Sequence, residues 1–120
     1  MRPSNQVLMA ALDAASNQVS VVIDAAFIYR FSAQASFSSN GLSGSLQLQG
    51  SNDPIAGIIS STTGKPVPVN WSNIGSAVSV ASGATSLIPS QDVCYRWLQV
   101  TWTKSGGTGT ITVNGNSIGF

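Results

Sequence analysis

Hydrophobic and polar residues alternate with a period of two along most of this chain. From Ala26 to Phe37 the odd positions carry Phe27, Tyr29, Phe31, Ala33, Ala35 and Phe37, and the even ones Ala26, Ile28, Arg30, Ser32, Gln34 and Ser36. Successive strand side chains point to opposite faces, so this stretch predicts a long strand with one aromatic and one mostly polar face. Upstream, Val19, Val21 and Ile23 alternate with Gln18, Ser20 and Val22; downstream, Leu42, Gly44, Leu46 and Leu48 alternate with Ser43, Ser45, Gln47 and Gln49. Asn70 to Ile74, Ala77 to Ala81, and Thr85 to Ile88 (ending before Pro89) read as shorter strands. Cys94 to Thr103 is the richest, with Leu98, Val100 and Trp102 on one face and Tyr95, Trp97, Gln99 and Thr101 on the other. Ser105-Gly106-Gly107 reads as a hairpin turn into Thr108 to Asn114. Val7 to Ser16 suits either a short helix or a strand begun by Val7-Leu8-Met9, and the strand is preferred. Many short strands parted by Gly and Ser turns imply an all-β fold, an antiparallel β-sandwich that is jelly-roll-like with about eight strands.

A length of 120 residues suits a single domain spanning 1–120, with 1–17 as an N-terminal arm. Residues 53–69 break the regular spacing. They hold Pro54, Gly57, Gly64, Pro66 and Pro68 together with Ile55, Ile58 and Ile59. A long excursion in a compact domain is usually a functional or contact element, and three isoleucines need cover. They pack either on their own domain or against another subunit.

Composition narrows the function classes. Only 8% of residues are charged, against roughly 25% in ordinary soluble domains, and Ser, Thr, Asn and Gln fill 43 positions instead. The basic residues Arg2, Arg30, Lys65, Arg96 and Lys104 are scattered. Phosphate contacts need clustered cations, so nucleic acid is not an expected partner. A net charge of +1 removes the long-range repulsion that keeps copies apart. The apolar stretch from Val7 to Leu12 is too short for a membrane span and lacks a convincing cleavage site, so an unprocessed protein made in the cytoplasm is expected.

Catalytic chemistry finds little to work with. The chain has no His and no Glu, and Asp13, Asp24, Asp53 and Asp92 share no short motif. Histidine-based nucleophilic catalysis and zinc sites as usually built are therefore excluded, and neither an enzyme nor a cofactor or metal is expected. Residues 106–110 lack the Lys and the following helix of a phosphate-binding loop. Cys94, alone in a strand-like run, is expected to be a small buried hydrophobe. Arg96, at the beginning of its strand, is expected to reach past the core edge to Asp92 or Asp24. The aromatics Trp71, Tyr95 and Trp97 are candidates either for core or inter-subunit packing or for stacking on sugar rings.

Three stretches carry a family resemblance. The first is Val22-Ile23-Asp24 leading into Tyr29-Arg30-Phe31-Ser32-Ala33-Gln34-Ala35. The second is Gly44 to Asp53, ending Leu48-Gln49-Gly50-Ser51-Asn52-Asp53, followed by Asn70-Trp71-Ser72-Asn73-Ile74. The third is Tyr95-Arg96-Trp97-Leu98-Gln99-Val100-Thr101-Trp102-Thr103, followed by Gly106 to Ile111. In that order they resemble small virion-associated proteins of tailed bacteriophages, over most of the chain from Val19 onward. The second and third are also similar to the discoidin-type, galactose-binding-like sandwich, from which Gln99 and the excursion after Pro54 depart.

The resemblance implies a bacteriophage virion structural protein, in a capsid decoration, fibre or tail accessory position. Its partners would be itself, as a homo-oligomer with a trimer favoured, and other virion proteins. The other implied role is a carbohydrate-binding module holding the virion to host surface glycans through Trp71, Trp97 and Tyr95.

Overall fold

A computed structural model describes residues 3–53, 58–59 and 66–119. The described residues form eleven strands and no helix: β1 (Pro3–Asp13), β2 (Gln18–Val19), β3 (Ile23–Asp24), β4 (Ile28–Phe37), β5 (Ser43–Ser51), β6 (Ile58–Ile59), β7 (Pro66–Val67), β8 (Ser72–Val80), β9 (Ser86–Asp92), β10 (Trp97–Gly106) and β11 (Thr110–Gly119). One sheet has the order β1-β11-β4-β9. The other has the order β2-β10-β5-β8, with β3 also pairing β10. Every pairing is antiparallel. Because β2 and β3 lie along the same strand, they act as one interrupted strand. The two sheets then hold eight strands in the order of a jelly roll. The segment 7–16 is resolved as strand, within β1 up to Asp13.

One-sided burial explains the alternation. Phe31, Ala33 and Ala35 of β4 meet Leu46 and Leu48 of β5, Leu98, Val100 and Trp102 of β10, and Ile111 and Val113 of β11 in one buried cluster. Burial of each valine, leucine, isoleucine or phenylalanine side chain in it contributes about 1.5–3 kcal/mol. Trp102 is 1% exposed, its indole N–H donates to the Ala14 carbonyl at 3.0 Å, and the Phe37 ring lies 5.2 Å away.

The structure corrects several strand expectations. Phe27 does not join the aromatic face: it sits in a turn before β4 and is 74% exposed. Val19 and Val21 do not share a face with Ile23. Between β2 and β3 the chain shifts by one residue against β10, and a one-residue slip reverses the faces of a strand. Ser20 turns inward instead, where its hydroxyl accepts the Val100 N–H at 2.8 Å and donates to the Val21 carbonyl at 2.9 Å. The two segments expected around Gly75 merge into β8, whose pairing with β5 is irregular between Ile74 and Val78. Strand β9 passes through Pro89 to Asp92, with a register shift there. Proline is tolerated at such a position because β9 is an edge strand that donates nothing outward.

Two further expectations change. Ser105-Gly106-Gly107 is not a hairpin turn: β10 and β11 belong to different sheets, and residues 107–109 carry the chain across the sandwich. Cys94 is exposed, not buried. It lies between β9 and β10, where Val93 takes the inward position and donates its N–H to the Tyr29 carbonyl at 2.9 Å.

Candidate functional site

Parts of the second and third stretches singled out in the sequence converge at one end of the second sheet, where β5 ends and β8 and β10 begin. Asp53 is the hub. One carboxylate oxygen accepts the backbone N–H groups of Val69 and Asn70, both at 2.8 Å, and the other accepts the Asn70 side-chain amide at 3.0 Å. Its own N–H donates to Ser51 Oγ at 3.1 Å, and its carbonyl accepts the Trp97 indole N–H at 3.0 Å. Beside it, Asn52 Oδ1 accepts the Arg96 N–H at 3.0 Å. Asp53 thus ties together the two chain segments that border residues 54–68.

These donors favour the charged form. The Asn70 side-chain amide, then the Asn70 and Val69 N–H groups, hold the Asp53 carboxyl below its ordinary value. The unfolded chain therefore binds this proton more readily than the native one. The stability Asp53 supplies is fully present above the ordinary carboxylate value and fades as pH falls through the lower native value. Asp53→Asn is expected to lower the thermal midpoint at neutral pH, with the gap from the parent narrowing below about pH 4. Thermal melts across pH check this; a gap that does not change with pH contradicts it.

The aromatic candidates divide between two faces. Tyr95 lies over Gly50, where a β-carbon would come within 2.4 Å of the ring, and it packs against the core. Trp97 pairs in register with Ser51 on one side and Asp24 on the other, and alternates with the buried Leu98, so it stands on the outer face. The Arg96 guanidinium stacks 4.1 Å from the centre of the Trp97 ring and forms an ion pair with Asp24, as expected of Arg96. Trp71, half-buried, directly precedes Ser72, which pairs Gly50, and so lies at the same end of the sheet as Trp97. Trp71, Trp97 and Tyr95 thus lie at one sheet end, with the Tyr95 ring on the core side. Ile58 and Ile59 form β6, whose backbone pairs with Val67 and Pro66 of β7. Ile55 lies outside the described residues.

Next to the tryptophans, the outer face of the second sheet is an amide ladder. Gln99 donates to Gln49 at 2.8 Å, and Gln49 donates to Asn73 at 3.0 Å, following the strand register. Gln47 donates to the carbonyls of Leu48 at 2.9 Å and Ile74 at 3.2 Å. These amides are spent within their own sheet.

The outer face of the first sheet is different. Asn5, Ser32, Gln34, Leu87, Asn114 and Asn116 line an open groove of about 520 Å³ across all four strands. Sequence reasoning singled out none of them. The signal available was the polar face of β4, Ser32 and Gln34, and the alternation of Asn114 and Asn116 with Val113 and Gly115. The four carboxylates have separate partners: Asp92 pairs with Arg30 at 3.1 Å, Asp24 with Arg96, Asp13 accepts the Ala15 N–H at 2.9 Å, and Asp53 is the hub described above. Among the described residues no three Cys or Asp side chains gather as metal ligands.

Strand order and pairing place the chain among jelly-roll β-sandwich proteins. No family model and no curated protein matches its sequence. Among solved structures it is similar to the SPBc2 prophage-derived protein YomS, with 14% identity and a TM-score of 0.53 over 98% of this chain and 95% of that one. At that identity the two share a fold.

Proposed function

We propose that this protein is a structural component of a bacteriophage virion that acts by assembling with copies of itself and with neighbouring virion proteins. The observation that carries this reading is strand β8. It ends the second sheet and runs for nine residues, Ser72–Val80, with no charge and no proline, its one irregularity being the register shift between Ile74 and Val78. Natural sheets usually guard an open edge with charge, proline, a break or a cover. The other outer strands are guarded in that way. β9 carries Pro89 and the charged Asp92, β2 and β3 are broken apart, and the Leu8 carbonyl on β1 accepts the Val21 N–H at 3.2 Å.

A closed, symmetric homo-oligomer would cover the β8 edge, and a trimer is favoured. The scarcity of charge and the fold shared with a prophage-derived protein support the same reading. Its place in the particle would be a capsid decoration, fibre or tail accessory position. Ser76 and Ser79 are exposed on β8, so lysines there leave the core untouched. The double substitution Ser76→Lys, Ser79→Lys is expected to weaken self-association at least about tenfold while the circular dichroism of the fold is kept, since like charges meeting across an interface cost several kcal/mol. Light scattering after size exclusion reads the mass; an unchanged mass at every concentration contradicts the role of β8.

A further inference from the structure

From the groove on the first sheet we infer a second, independent activity: the binding of a neutral, hydroxyl-rich oligosaccharide by Asn5, Gln34, Asn114 and Asn116. The strand register builds the groove in rows. Asn5, Asn116 and Ser32 lie side by side in one, and Val7, Asn114, Gln34 and Leu87 in the next. Three strand spacings make the Asn114 row about 14 Å long, enough for a short glycan chain. The groove volume of about 520 Å³ also falls within the range of small-molecule sites.

The two sheets contrast in how they use their amides. Gln47, Gln49, Gln99 and Asn73 on the second sheet are hydrogen-bonded to one another or to the backbone. On the first sheet, the side chains of Asn5, Gln34, Asn114 and Asn116 have no hydrogen-bond partner among the described residues. Each such amide offers two donors and an acceptor in one plane. That set matches neighbouring sugar hydroxyls, which both donate and accept.

Charge selects against ionic ligands. No charged residue lines the groove. The next row along the sheet holds Arg30 and Asp92, which neutralise each other at 3.1 Å. At the two ends of the Asn114 row, Val7 is 53% exposed and Leu87 59% exposed. They supply apolar surface for the C–H faces of sugar rings. This site is distinct from Trp71, Trp97 and Tyr95 on the other sheet, and it does not require assembly.

The experiment presents labelled protein to an array of neutral and acidic microbial glycans and then titrates the bound neutral members by NMR. The side-chain amide signals of Asn5, Gln34, Asn114 and Asn116 are expected to shift. The double variant Asn114→Ala, Asn116→Ala is expected to weaken binding at least tenfold with an unchanged thermal midpoint, and Trp71→Ala to leave it intact. The inference is overturned if no neutral glycan binds, if acidic glycans are preferred, or if Trp71→Ala abolishes binding and the asparagine pair does not. The oligomeric mass of the same variants shows separately whether assembly holds.

Discussion

Trp102→Ala is expected to lower the stability of the fold by about 3–5 kcal/mol, or roughly 10–20 °C in the thermal midpoint of a domain this size. Trp102 is the largest fully buried side chain and lies between the two sheets, close to the Phe37 ring. Removing the indole opens a cavity that β-strands tied by paired hydrogen bonds relax into only in part. The loss has a polar share as well. The indole N–H is donated to the carbonyl of Ala14, a residue with no exposure, which would be left without that donor. An unmet buried acceptor costs about 1–3 kcal/mol. Trp102→Phe keeps much of the volume and none of the hydrogen bond, so its midpoint is expected to fall between parent and alanine variant. Calorimetry on the three proteins measures both shares; a shift under about 3 °C for the alanine variant contradicts the core described above.

Gly107→Ala is the second change with a large expected effect, about 2–5 kcal/mol from backbone strain and overpacking together. Gly107 has φ of +85°, and a β-carbon there would lie 2.2 Å from the Gly41 carbonyl oxygen and 2.9 Å from Leu42 Cα. Both obstacles are backbone atoms and cannot swing aside. Leu42 has no exposure, so displacing its segment disturbs the core. The adjacent Gly106 provides the control. A β-carbon at Gly106 would meet only the Ser43 hydroxyl, at 3.2 Å, and that side chain can rotate away. Gly106→Ala is expected to cost under about 1 kcal/mol. Urea midpoints of the two variants check the difference; equal losses contradict the tight crossing of residues 107–109 over the 41–42 segment.

That crossing also shows where the sequence stops being informative. Alternation marks which residues of β4, β5 and β10 face the core, because burying one face imprints a period of two on the chain. It says nothing about which sheet a strand joins. Ser105-Gly106-Gly107 has the composition of a hairpin turn, yet the conformation Gly107 permits serves a crossover between sheets. Ser20 and Cys94 were illegible for a related reason. A one-residue shift between β2 and β3 turned a polar residue inward, and a loop between β9 and β10 turned a thiol outward.

The candidate site was legible in part. Ser51-Asn52-Asp53, Asn70-Trp71 and Tyr95-Arg96-Trp97 do meet in space, joined by the hydrogen bonds of Asp53 and Asn52. Tyr95 parts from Trp97 because Gly50 leaves room for its ring on the core side. The first-sheet groove was hidden. Asparagine and glutamine look alike in sequence on both outer faces, and only the register shows which amides are paired and which are open.

The mass of the native protein in solution bears most directly on the proposal that this sandwich works by joining copies of itself. Sedimentation or light scattering on the purified chain is expected to give a defined multiple of 12.3 kDa, three-fold being favoured, held steady across dilution. A particle of 12.3 kDa throughout the soluble concentration range would contradict it.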